Sequence, residues 1–94
     1  MTFAWHESKD RGNRQKHGVS FETAAQVFQD PQAVSYLDRL IDDEERWHTV
    51  GLAGGVTILL AVHTSEEAND EEEIRIIAAE KANPRERALY DPSH

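Results

Sequence analysis

Four of the ten lysines and arginines in this 94-residue chain fall in one stretch, IRIIAAEKANPRERALY (74–90). They are Arg75, Lys81, Arg85 and Arg87, and with Arg46 they are the residues best suited to hold a phosphate. A guanidinium stays charged at any working pH, and its planar fork grips two phosphate oxygens at once. Arg75 stands between Ile74 and Ile76, and an arginine inside an apolar strand needs a partner, either an anionic ligand or a carboxylate such as Glu45 or Asp70. Lys81, Arg85 and Arg87 flank a helix start, whose free N–H groups attract anions. The plainer role for Arg85 and Arg87 is solvated pairing with Glu86 or the acidic loops. Proton transfer near neutrality points to histidine. His17 follows Lys16, and His48 shares a strand face with Arg46. His17 equally suits a helix-capping role. Glu45 is a candidate base, or an orienting partner for an arginine. Tyr90 can stack on a nucleobase or donate a proton, or simply pack its ring in the core. A zinc site from His48, His63 and an acid fits no known ligand spacing, and Gly54-Gly55 reads as a hairpin turn rather than a phosphate loop.

These cations sit in an acidic chain of formal charge −8. The charge is segregated: net +1 over residues 1–22, −10 over 23–73 and +1 over 74–94. The excess lies in DRLIDDEER (38–46) and SEEANDEEE (65–73), which read as solvated loops or as a landing site for a basic partner. The two cationic ends are expected to converge in space. One domain fits the length. The absence of cysteine excludes disulfides, a thiolate nucleophile and thiolate metal sites. The longest mainly apolar run, 56–62, is far short of a membrane span, and the N-terminus lacks a signal pattern, so a cytoplasmic protein is expected.

The elements that must position these groups follow from local pattern. TFAW (2–5) alternates like a short strand, and 7–18 reads as a polar helix ending in Lys16, His17 and Gly18. Ser20 caps a second helix whose apolar face is Phe21, Ala24, Ala25, Val27 and Phe28, with Phe21, Phe28 and Trp47 expected in the core. Asp30-Pro31 stops it. Strands are expected over 32–38, 44–52, 56–64 and 74–79, the middle two joined as a hairpin. Asn83, Pro84 and Glu86 form a capping-box start for a last helix over 83–90. The order β-α-α-β-β-β-β-α gives an α+β fold, a small curved antiparallel sheet with helices packed on one face.

In order and spacing, several motifs together resemble the BrnT family of bacterial toxins. They are Phe3, Trp5, Lys9, Asn13, then Lys16-His17-Gly18-Val19-Ser20-Phe21 with Ala24, Val27, Phe28, Asp30 and Pro31. They continue in Glu44, Arg46 and Gly51, then Arg75, Ile77, Ala79 and Ala82, and close on Glu86, Arg87 and Tyr90. The resemblance covers nearly the whole chain as a single BrnT-like domain, 1–94. It implies a RelE-like fold and a ribonuclease that arrests translation. It also implies a BrnA-type ribbon-helix-helix antitoxin that holds operator DNA with the toxin attached. On that footing Arg46, Arg75 and Lys81 are expected on the scissile phosphate, with His17 or Glu45 in proton transfer. Lys16, Arg85, Arg87 and Tyr90 are expected on RNA, with neither metal nor cofactor. Three positions depart from the family pattern: His6 stands for Asp, Ala78 for Ser and Glu80 for Arg. Glu80 motivates an alternative, a catalytically weakened toxin that serves as an antitoxin-binding co-repressor module.

Overall fold

The computed structural model describes residues 1–91. The elements are β1 (Thr2–Ala4), α1 (Glu7–His17), α2 (Phe21–Ala25), a 3₁₀ segment (Gln26–Gln29), β2 (Val34–Ile41), β3 (Glu44–Ala53), β4 (Thr57–Ala68), β5 (Glu71–Lys81) and α3 (Pro84–Tyr90). They form one five-stranded sheet in the order β1-β5-β4-β3-β2. All pairings are antiparallel except β1 with β5, which is parallel.

Local chemistry explains the boundaries. Gly18 adopts φ 70° and ends α1, a backbone state that costs other residues. The Ser20 hydroxyl accepts from the Thr23 amide and opens α2. The expected capping box is present at α3, with Asn83 and Glu86 bonding reciprocally at 2.8 Å. The acidic stretches expected as loops are largely strand. β2 runs to Ile41, β4 to Ala68, and β5 starts at Glu71. Only the turns Asp42-Asp43 and Asn69-Asp70 remain, each with two successive positive φ values. The carboxylates are tolerated because both faces of these arms are solvated while the backbone stays paired. Both turns lie at one end of the sheet, which makes that end strongly acidic.

The front face packs α1, α2 and the 3₁₀ segment over Phe21, Ala24, Val27, Leu59, Ala61, Ile74, Ile76 and Ala79. Burying one such large side chain is worth about 1.5–3 kcal/mol. Gly51 lets this layer approach: a Cβ there would meet Val27 O at 3.2 Å and Ala33 Cβ at 3.1 Å. α3 does not join that layer. Tyr90 packs on the back face with Val50, Leu60, Ala82, Tyr36 and Val62, so the helices divide between two faces rather than sharing one. The reason is Ala82, which is buried on the back and turns the chain there.

Two side chains finish the sheet where strands run out. β1 covers β5 only at residues 73–75, and beyond it Asn13 of α1 bonds both backbone groups of Ala79. β2 begins opposite Val50, and past it Asp30 accepts from the Leu52 amide. Both supply the hydrogen bonds a missing strand would have made.

Candidate functional site

Strand alternation sorts the candidate residues by face. On the back, Tyr36 of β2 lies opposite His48 of β3, which lies opposite Val62 and then Ala78. The next row holds Arg39 opposite Arg46 and Thr64 opposite Arg75. Continuing the β3–β4 register puts Arg46 beside Thr64. Arg46 and Arg75 therefore flank one residue on one open face, with Cα atoms about 10 Å apart.

Arg46 is held low against the sheet, its side chain 24% exposed, with Nη2 3.3 Å from Glu44 Oε1. Its Nε is buried and, among the described residues, has no hydrogen-bond partner. A desolvated donor without an acceptor is costly. Arg75 is exposed and makes no ion pair among the described residues, so neither Glu45 nor Asp70 neutralises it.

Two strand positions toward α3, His48 joins Tyr36 and Asp38. Its Nδ1 is 3.0 Å from the Tyr36 hydroxyl and its Nε2 is 3.5 Å from Asp38 Oδ2. An ionised carboxylate only accepts, so the arrangement suits a tautomer with the proton on Nε2, in which the phenol would donate to Nδ1. This is a tyrosine–histidine–carboxylate chain, with roles of the kind that serve proton transfer elsewhere. Burial raises the Tyr36 pKa, Glu86 and Asp38 raise it further, and Arg85 pulls it back. A cavity of about 320 Å³ opens here, lined by Tyr36, Asp38, Asn83, Arg85, Glu86 and Leu89. A larger hollow of about 540 Å³ lies behind α3, where Arg87 stands with Ile58, Pro84, Ala88 and Asp91.

The remaining candidates lie elsewhere. Lys81 sits opposite Leu59 on the front face, near Arg14 and the start of α2. Glu45 is also on the front, beside Trp47 and His63. His17 ends α1 with Nδ1 3.4 Å from Glu80 Oε2, and Lys16 is exposed on the same last turn. Tyr90 is committed to structure, because its hydroxyl donates to Asp30 Oδ2 at 2.6 Å. That bond, then burial and the Asp30 charge, push its pKa up to about 12. His48 and His63 are back to back on opposite faces and share no metal site. The structure thus brings Arg46, Arg75, Arg85 and His48, all singled out in the sequence, to the back face beside Tyr36 and Asp38, which were not singled out. The alternation of Tyr36 with Asp38 was visible, but which β3 residue they face depends on register.

With this geometry in hand, the chain can be set beside known proteins. The family model described as ribonuclease toxin, BrnT, of type II toxin–antitoxin system matches residues 5–86. No curated protein matches. In fold, the chain is similar to the crystal structure of the Brucella abortus ribonuclease toxin BrnT, with a TM-score of 0.60 and 20% identity over 88% of this chain and 97% of that one. The family match spans α1, α2 and strands β2 to β5, and on it the chain belongs to the BrnT family of ribonuclease toxins of type II toxin–antitoxin systems.

Proposed function

We propose that the back face cleaves RNA without a metal ion, by transesterification within the strand. The observation that carries this reading is the placement of Arg46 and Arg75 about two strand spacings apart, ~10 Å, beside the Tyr36–His48–Asp38 chain. Arg46 and Arg75 grip the non-bridging oxygens of the scissile phosphate and offset the charge that builds there. The phenol oxygen of Tyr36 takes the proton of the ribose 2′-hydroxyl as its own proton passes to His48 Nδ1. Asp38 holds the resulting imidazolium. The 2′-oxygen bonds to phosphorus, the bond to the 5′-oxygen breaks, and the proton returns from His48 to that leaving oxygen. The products are a 2′,3′-cyclic phosphate and a 5′-hydroxyl. Arg85 steadies a flanking phosphate from the rim of the cavity. Lys81, Glu45 and His17 take no part in this scheme.

A purified chain incubated with RNA in EDTA tests the proposal. Cleavage to cyclic-phosphate ends is expected, falling by about two to three orders of magnitude in Arg46→Ala. Intact RNA under these conditions, or undiminished cleavage by Arg46→Ala, would refute it. The cell-level expectation is translation arrest in the cytoplasm. It includes relief by a BrnA-type ribbon-helix-helix antitoxin, which carries the toxin to operator DNA.

One observation favours a second reading, the co-repressor module. Glu80 stands where the resemblance places an arginine, and it is engaged with His17. If overproduction leaves growth unaffected while the toxin–antitoxin complex still needs this chain to hold operator DNA, the second reading replaces the first.

A further inference from the structure

The helical layer leaves part of the front face bare. The 3₁₀ segment stops at Gln29, and toward the hairpin turns β2 and β3 present Leu37 opposite Trp47 and Leu40 opposite Glu45. Leu37 is 46% exposed and Leu40 62%. Beside Phe28 this strip deepens into a cavity of about 320 Å³ whose lining includes Ser35, Trp47, His63, Glu45 and Glu72. Among the described residues no lysine or arginine lines it, and the ammonium of Met1, at its margin, is paired with Glu71 at 3.7 Å. Its floor is rigid. Ser35 Oγ and Thr49 Oγ1 are 2.7 Å apart, Thr49 Oγ1 and His63 Nε2 are 2.7 Å apart, and Phe28 packs edge-on against the His63 ring. β2 is the outermost strand, so its outer backbone edge lies open along the strip. Exposed leucines on an open edge strand invite pairing with another chain.

We infer that this strip docks an extended segment of the protein antitoxin. The segment sets apolar side chains on Leu37, Leu40 and Trp47 and drops an arginine or lysine into the cavity between Glu45 and Glu72. The inference rests on the family's type II character and deepens it by naming the surface and the chemistry of what covers it. Charge decides the occupant. Asp42, Asp43, Glu44, Glu45, Glu71 and Glu72 belong to the hairpin arms around the strip. A second copy of this chain would press the same carboxylates together, and an RNA strand would set its phosphates against them. A cationic side chain gains both carboxylates and the Trp47 ring. The strip and the Arg46–Arg75 row lie on opposite faces, so anchoring the antitoxin and cleaving RNA depend on different residues.

The probe is the purified antitoxin encoded beside this chain's gene, titrated calorimetrically at about 50 mM and about 300 mM salt. Wild type is compared with Leu40→Asp, Glu72→Lys and, from the back face, Arg75→Ala. Leu40→Asp is expected to weaken binding by at least about thirtyfold. Glu72→Lys should weaken it about tenfold and flatten its salt dependence. Arg75→Ala should stay within about twofold of wild type. Thermal melts check that each variant is folded, and Leu40 is exposed enough that its replacement leaves the core alone. In cells, Leu40→Asp should arrest growth and no longer be rescued by the antitoxin. Folded Leu40→Asp binding as wild type does, or Arg75→Ala abolishing binding, overturns the inference. So does a free chain that sediments as a dimer and is dissociated by Leu40→Asp. A wild-type chain that binds through the strip yet never cleaves RNA refutes the cleavage mechanism and leaves the docking surface standing.

Discussion

The Tyr90 hydroxyl donates to Asp30 Oδ2 across 2.6 Å, tying the last helix to the residue that closes the open edge of β3. Asp30 also accepts from the Gln32 amide. Burial opposes ionisation of Asp30, but the hydrogen bonds from Tyr90, Leu52 and Gln32 together win and lower its pKa below 3.8. The contribution of Asp30 to stability is therefore present above pH 3.8 and is lost as pH falls through its depressed value. Tyr90 acts at the other extreme. Folding favours its neutral form, so its contribution is complete below pH 10 and is lost as pH rises toward about 12. Urea titrations across the alkaline range should show that slope in wild type and its loss in Tyr90→Phe, with RNA cleavage unchanged.

His63 gives a second pH window. Burial lowers its pKa below 6.5, against the raising influence of the Thr64 carbonyl and Glu72, while His48 lowers it further. The native state keeps the imidazole neutral, with Nδ1–H donating to Thr64 O and Nε2 accepting from Thr49. Below pH 6.5 the unfolded chain binds a proton that the native chain resists, so stability must fall as pH drops from that value. Denaturant midpoints measured from pH 7.5 to 5 should fall in wild type and flatten in His63→Gln.

Asn13 is a structural residue, and its loss should be severe. Replacing it with leucine strips the Ala79 N–H and C=O, and the Val19 C=O, of their partner inside the core. Orphaned buried groups of this kind cost about 1–3 kcal/mol each, and partial rehydration brings the expected total to about 2–4 kcal/mol. Equilibrium unfolding in urea measures it.

Lys81 and Arg46 separate the two placements of the candidate residues. With Lys81 on the front face and Arg46 on the back, Lys81→Ala should leave the cleavage rate within about threefold of wild type while Arg46→Ala abolishes most of it. Equal losses from both would mean that the strand faces do not divide the chemistry.

Much of this was legible in residue order, because helix starts and stops are written in short-range chemistry. Gly18, Ser20 and the Asn83–Glu86 box each act within four residues, and each behaves as read. What was hidden is what depends on register. The extra residue at Asp38 in β2 shifts the alternation, so Arg39 rather than Asp38 faces Arg46. Lys81 and Arg75 are near in sequence but on opposite faces, because the β5 register slips between Ile76 and Ala78. The acidic arms misread as loops for a related reason: composition reports solvation, and a two-sided solvated hairpin has the composition of a loop.

On the proposed mechanism, the acidic turns near Arg46 and Arg75 should give the chain an unusual kinetic signature. Fields reach about 30 Å in 0.01 M salt but about 10 Å in 0.1 M. In dilute buffer an approaching polyanion therefore feels the whole carboxylate fringe before it meets either guanidinium. Added ions hide the fringe first, while the sheltered Arg46 keeps most of its pull. Moderate ionic strength should accelerate capture of a nucleic acid strand, the reverse of how a basic nuclease responds.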